Sequence, residues 1–404
     1  MPIDFINRHK INKIAFRLPN VAFFLSLAYA ARDSIWSIYL DTFMNNEVYV
    51  GLFTGILTLI SVVLFFFLTP IIERYREKNT YLWGAIGLLI GYFIFYIAGS
   101  MKVVIFASLI YIVGRVFHTV SQGILISDSC AKKDLGKTEG YVYAIRNIGY
   151  MIGPLLGGFI AGKLGIHYVF IFSAVFVLFG MTLFRLAKIK EINHHTKDDA
   201  TIKGSIMNMK NFFSKKRFTL LYAVSGGISL YWGMIFIYVP LYILKSGYGE
   251  HIAGIVLFAV SAPLVIFEYK VGKVADIYGY KRFFIYGYLL LALFSLFSYF
   301  SGNIIILIVC LTVGSIGASF LEGTRESFFF LNVTKSEEEK YYGPFITHTD
   351  SFSTIGKFAG AVFLIFFPLK AIFLLTSALM LIFTVLSFFV RQKKENSHKL
   401  HSNP

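Results

Sequence analysis

Charge is scarce in this chain. Only 15% of its 404 residues are Asp, Glu, Lys or Arg, and 56% are hydrophobic, against roughly 25% and 45–50% in soluble proteins. The shortage of charge excludes a soluble globule, and the apolar excess excludes a disordered chain. Cysteine is scarcer still. Cys130 and Cys310 stand far apart with no companion at metal-ligand spacing, so neither a disulfide framework nor a metal site is indicated. Acid is also short, with 22 Asp and Glu against 38 Lys and Arg and a net charge of +16. Such a surplus can signal nucleic acid, but the positions of the charges decide that. Signatures of catalysis are missing as well. No Ser-His-Asp set stands out, and Gly157-x4-Gly162-Lys163 fails as a phosphate loop because Leu164 stands where Ser or Thr must hold magnesium. The chain reads as no enzyme and needs no cofactor.

Long apolar runs are what the chain has in abundance. Twelve candidate spans lie near Leu18–Phe43, Val48–Ile72, Tyr81–Ala98, Val103–Ser127, Tyr141–Ala161 and Ile166–Leu186, then Phe218–Leu244, His251–Gly272, Phe283–Phe300, Ile304–Phe330, Tyr342–Phe367 and Ala371–Val390. Backbone amides in hydrocarbon must bond internally, so these spans are predicted to be helices of an all-α integral membrane protein. The long polar stretch from Ala187 to Arg217 divides them six and six. Residues 1–186 and 218–391 are expected to form two six-helix bundles, with 187–217 a cytoplasmic linker and 392–404 a basic cytoplasmic tail. Of the 38 basic residues, 29 fall in the tails, the linker and the loops on one side. The opposite loops hold only Lys102, Lys163, Lys245 and Lys370. This bias places both termini in the cytoplasm of a plasma-membrane protein. The positive balance is thus a topology signal and a match to anionic lipid headgroups. Nucleic-acid binding gains no support.

The halves echo each other. A shift of 200 residues brings Gly114 onto Gly314, Gly123 onto Gly323 and Ser127 onto Ser327. A shift of 203 brings Glu73-Arg74-Tyr75 onto Asp276-Ile277-Tyr278. Parallel six-helix repeats are a transporter architecture, with the binding site between the halves.

Two motifs sharpen this. The loop after the eighth span reads Gly272-x3-Asp276-x2-Gly279-x-Lys281, and Glu73 and Arg74 begin its degenerate counterpart after the second span. The fifth span carries Gly140-x8-Gly149-x3-Gly153-Pro154-x2-Gly157-Gly158, and the fourth Arg115-x6-Gln122-Gly123. Glycines at i, i+4 and i+8 line one helix face and admit a close neighbour. These motifs resemble the major facilitator superfamily, whose loop signature is G-x-L-x-D-R-x-G-R-K. Ile277 and Tyr280 depart from its usual arginines. The glycine-rich helix resembles the antiporter motif of the drug:proton antiporter branch. The resemblance implies a fold of two six-helix bundles, working by alternating access. Gly153 is expected to lie where the halves rock against each other.

Ionisable groups in hydrocarbon cost about 3 kcal/mol or more and are functional candidates by default. Arg32 and Asp33 fall near the middle of the first span and Arg115 at similar depth in the fourth. Asp33 is expected to couple to protons with Arg115 as counter-ion, or else to form a static buried pair with it. His118 and Gln122 share the Arg115 face, and Lys357 is expected to line the cavity with them. The resemblance implies a gate in which Glu322, Arg325, Glu326 and Asp350 latch the cytoplasmic side together with Glu73, Arg74, Asp276 and Lys281. Tyr231, Tyr238 and Tyr242 suit a cavity wall. The expected function is secondary active transport of small organic solutes, as proton-coupled efflux. Uptake of a sugar, amino acid or other metabolite, and a non-transporting membrane sensor, are the alternatives. Expected partners are a small-molecule substrate, protons and membrane lipids. A monomer is the expected form, although the sequence leaves oligomeric state open.

Overall fold

An apolar run of 20 or more residues in lipid can satisfy its backbone only within itself, and the long helices follow from that. The computed structural model describes residues 13–72, 75, 77–128, 135–186 and 202–390. The first half comprises α1 (Lys13–Met44), α2 (Glu47–Ile72), α3 (Glu77–Ile97), α4 (Met101–Asp128), α5 (Leu135–Leu164) and α6 (Tyr168–Leu186). A short helix, α7 (Ile202–Phe213), lies inside the predicted linker. The second half comprises α8 (Lys216–Lys245), α9 (Glu250–Tyr278), α10 (Tyr280–Phe300), α11 (Ile304–Asn332), α12 (Lys335–Ile346), α13 (His348–Leu364) and α14 (Ile372–Phe388). There is no strand among the described residues.

Each predicted span coincides with a helix, but the eleventh is divided at Thr347. The Thr347 hydroxyl donates to the Pro344 carbonyl at 2.7 Å, and His348 Nδ1 lies 2.6 Å from the Phe345 carbonyl. Side chains thereby take two carbonyls that the amides one turn on would otherwise use, and the ladder breaks between α12 and α13. Among the described residues, nine helices are long and apolar enough to cross a membrane. The helices α1, α5 and α13 fall outside that set. The helix α13, at 17 residues, is too short once the span divides at Thr347, while α1 and α5 carry Arg32 and Asp33, and Arg146 and Asn147, polar side chains that face the cavity.

In the first half α1 packs on α5 and α6, and α3 on α4 and α6. In the second, α8 packs on α13 and α14, and α10 on α11 and α14. The halves meet along α5–α9, α2–α13 and α1–α8. Lipid offers no hydrophobic force between helices, so close approach of small residues matters. A methyl group added at Gly114 of α4 would lie 2.8 Å from the Gly87 carbonyl carbon of α3. One added at Gly287 of α10 would lie 2.9 Å from the Gly317 oxygen of α11. The same helix pair in each half is thus sealed by glycine, and Gly87 and Gly287 add another coincidence at the 200-residue shift.

The glycines of α5 serve two neighbours. A Cβ at Gly153 would lie 2.5 Å from Ala30 Cβ and 2.8 Å from the Ala31 nitrogen, and one at Gly157 2.5 Å from the Ala31 oxygen, all on α1. Gly149 meets Phe23 and Leu27 of the same helix. Gly158 instead faces α9, where a Cβ would lie 2.8 Å from Gly254 Cα. A Cβ at Gly254 would lie 2.5 Å from the Pro154 oxygen. The expectation that Gly153 sits between the halves is therefore corrected. Three of the motif glycines bind α5 within its own half, because residues four apart share one face; Gly158, 100° round from Gly157, turns to the other half. Gly140 lies near the start of α5.

Candidate functional site

Contacts set the relative directions of the helices. Gly149, Gly153 and Gly157 advance along α1 together with Phe23, Ala30 and Ala31, so α1 and α5 are parallel. Along α5 and α9, Gly158 meets Gly254 while Asn147 meets Glu268, so that pair is antiparallel. One end of the molecule, here called distal, therefore collects the ends of α1, α5 and α8 and the starts of α2 and α9. At this end the halves are stapled. Lys245 of α8 lies 2.5 Å from Glu47 of α2 and 3.5 Å from Asp41 of α1. A Cβ at Gly51 of α2 would lie 3.0 Å from Ala361 Cβ of α13.

Below that seam a cavity of about 460 Å³ lies between the halves. Its wall draws on α1, α2, α4 and α5 from one half and α8, α9, α11 and α13 from the other. Asp33 lines it, but its partner is Arg32, whose Nη1 lies 2.8 Å from Oδ1. The Arg32 guanidinium lies 3.5 Å from the Trp36 ring centroid and 4.7 Å from that of Tyr111. Aromatic faces thus compensate a side chain only 8% exposed. Arg115 lines the same cavity without a carboxylate within 4.0 Å among the described residues, which corrects the expected Asp33–Arg115 pair. A long Arg side chain reaches its sequence neighbour more readily than α4 reaches across.

Lys357 lines the cavity as expected and donates to the Thr58 hydroxyl of α2 at 2.7 Å, spanning the halves. Asp350, one helical face with it, also lines the wall. Glu322 and Arg325 pair at 2.9 Å and belong to the cavity rather than to a latch on the Asp276 loop. Glu322 accepts a 3.0 Å bond from Trp232 Nε1, and Arg325 lies 3.4 Å from the Ser229 hydroxyl. Both partners sit on α8, which packs against α11 and holds this pair away from the loop. Asp276 instead accepts a bond from Tyr280 one turn on, Lys281 donates to the Phe388 carbonyl at 2.5 Å, and Glu326 is exposed. Glu73 and Arg74 lie outside the described residues.

His118 and Gln122 do not reach the cavity. His118 is 1% exposed, with Nδ1 3.2 Å from the Tyr29 hydroxyl and its ring against Tyr81. Three residues rotate a helix by about 60° from its starting face. That turn carries His118 into the groove between α1 and α3, whereas Gln122 lies two turns along α4 from Arg115. Tyr231 and Tyr238 are buried in the second half, where Tyr238 donates to the Lys357 carbonyl at 2.6 Å. Ser229, Trp232 and Phe236 of the same helix form the wall instead.

Several groups escaped the sequence reading. Arg146 and Asn147 of α5 line the cavity, and Asn147 donates to Glu268 of α9 at 2.9 Å, a second polar bridge between halves. Arg146 was legible by the same cost argument that picked out Arg115. The Lys245 staple carried no signal beyond being one of four basic residues in the distal loops.

The sequence matches the family model for the Major Facilitator Superfamily over residues 21–267 and 246–404. It is 26% identical over 220 residues to Multidrug resistance protein 2 of Bacillus subtilis, covering 52% of this chain and 54% of that protein. It is 21% identical over 359 residues to an uncharacterized MFS-type transporter of Methanocaldococcus jannaschii, covering 87% and 90%. The match spans about half the length of the Bacillus subtilis relative. Among solved structures, a POT family transporter in complex with thioalcohol conjugated peptide superposes with a TM-score of 0.76 at 12% identity, covering 93% of this chain and 95% of that one. At that identity the likeness concerns the fold.

Proposed function

Because the chain belongs to the Major Facilitator Superfamily, a family of multi-pass membrane transporters and not of enzymes, we propose that it moves small organic solutes by alternating access, coupled to protons and in the export direction. The observation that carries this reading is the charged cavity between the halves, stapled at the distal end. Residues 1–186 and 218–391 are the two bodies that rock. On the positive-inside reading of the basic loops both termini are cytoplasmic, and the stapled distal end faces outward. The relative named Multidrug resistance protein 2 supports export.

Asp33 is the group assigned to proton coupling. It faces the cavity and is held by Arg32 alone among the described residues, so protonation dissolves one ion pair and frees one guanidinium. A proton and the solute then alternate as partners of the same site. Replacing Asp33 with Asn mimics the protonated form. In proteoliposomes holding a pH dye, the parent is expected to release protons against solute movement. Asp33→Asn is expected to lose uphill transport and keep exchange without a gradient. Uphill transport by Asp33→Asn at the parental rate excludes Asp33 and leaves Asp350. Co-entry of protons and solute indicates uptake instead.

A further inference from the structure

The cavity holds more cation than its own acids neutralise. Five basic side chains line it, Arg32, Arg115, Arg146, Arg325 and Lys357, against the three carboxylates Asp33, Glu322 and Asp350. Asp33 is taken by Arg32 and Glu322 by Arg325. Among the described residues, none of Arg115, Arg146 and Lys357 has a carboxylate within 4.0 Å, and neither does Asp350 have a basic nitrogen that close. Arg115 and Lys357 line the same cavity, with Asp33 and Asp350 in its wall. They stand on opposite halves, on α4 and α13. Uncompensated charge in a low-dielectric wall is costly. Among the described lining residues, Asp350 alone is left to meet three unpaired cations, so the wall is short of negative charge.

The rest of the wall suits an apolar body. Trp36, Tyr111, Tyr150, Trp232 and Phe236 surround the same space. A volume of about 460 Å³ holds a small organic molecule. We propose that the solute is an amphipathic organic anion, its oxyanion head held between Arg115 and Lys357 and its body against Tyr150, Trp232 and Phe236. This assignment rests on the transport reading above and names its substrate class. A guanidinium fork presents paired donors to a carboxylate, sulfonate or phosphate head. Lys357 has three donors and uses one on Thr58, leaving two for the head. The head joins one half to the other, so its binding favours occlusion. An organic cation in the same place meets three unpaired positive groups and a single unpaired acid, Asp350.

The test is equilibrium binding to the full chain in lipid nanodiscs, with three radiolabelled probes that share one ring system: 2-naphthoate, 2-naphthol and 2-naphthylmethylammonium. The naphthoate is expected to bind at least tenfold more tightly than the ammonium. Arg115→Gln and Lys357→Gln are each expected to weaken naphthoate at least tenfold and leave naphthol unchanged, while Lys357→Arg retains binding. If the neutralised variants do not yield folded protein, the ranking of the three probes on the parent decides alone. Ammonium binding as tight as naphthoate, naphthoate binding indifferent to both neutralisations, or no binding of any probe overturns the assignment. The transport reading is judged separately, by spin labels at the exposed distal positions Tyr49 and Tyr248. A distance between them that never changes overturns transport; a changing distance, with flux of the ammonium probe alone, overturns only the anion.

Discussion

Contacts within a half and contacts between halves use the same small residues for opposite purposes, and α5 carries both on adjacent faces. Toward α1, Gly149, Gly153 and Gly157 meet backbone and small side chains over three turns, a seam with no room for adjustment. Toward α9, Gly158 and Gly254 approach at one crossing, and further along Asn147 donates to Glu268. On the alternating-access reading proposed above, the first seam belongs to one rigid body and the second is where the two bodies part. A glycine motif read from sequence does not say which of its members does which, and the difference is a rotation of 100° between neighbours.

The comparison breaks most visibly at Gly153. Leucine there must displace the α1 backbone, at or above the ~1–3 kcal/mol typical of overpacked interiors. Gly153→Leu is expected to lose monodisperse protein on gel filtration and ligand binding with it. Normal yield and unfolding temperature would show that the α1–α5 seam yields, and the distinction between seams would go with it.

At Gly158 the expected outcome is milder for stability and severe for flux. Gly158→Leu forces the halves apart at the distal end without touching α1. The protein is expected to fold, to label readily from the outside at the distal end, and to lose at least nine-tenths of its transport. Parental flux in this variant would remove α5–α9 from the list of moving contacts.

The smallest effect belongs to a polar contact inside one half. Lys215 lies 2.8 Å from Glu337, and Arg217 3.7 Å from it. The hydrogen bond from Lys215 holds the Glu337 carboxyl below its ordinary range. A lowered folded value means that the stabilisation is present above the unfolded glutamate value of about 4.3 and is lost as pH falls through the lowered one. Both partners are part exposed, so the gain is at most about 1 kcal/mol. Glu337→Gln is expected to lower the unfolding temperature slightly at pH 7, to match the parent near pH 3, and to leave exchange rates alone. A deficit that persists at low pH would assign the effect to the Thr334 cap instead.

The sequence made the helices legible because lipid imposes few choices, and an apolar run long enough to span can only be helical. The cost of buried charge likewise brought Arg32, Asp33, Arg115 and Lys357 to one cavity, whereas Asp350, expected in the gate, lines the cavity instead. Partnership was illegible. Arg32 takes Asp33 because its side chain folds along its own helix onto Trp36. Glu322 and Arg325 turn to Trp232 and Ser229 because α11 packs on α8. Tyr231 and Tyr238 of α8 are buried, Tyr238 with its hydroxyl between the Lys357 carbonyl and Gly51 of α2, although their spacing suits a cavity wall equally well. Azimuth about a helix decides each case, and a nearly uniform apolar sequence carries little record of azimuth.

The pairing of Arg32 with Asp33 has an electrical consequence. Both charges ride on α1 as neighbours, so they cancel at every position the helix takes. The membrane potential does work of about 2.3 kcal/mol per elementary charge per 100 mV on a charge that crosses it. On this pair it acts only through a small dipole. On the coupling proposed above, the midpoint of α1 carries no net charge until Asp33 takes the coupling proton and one positive charge afterwards. On that reading, hyperpolarisation, negative inside, pulls the charge toward the cytoplasm and weights the protonated carrier toward an inward-facing state.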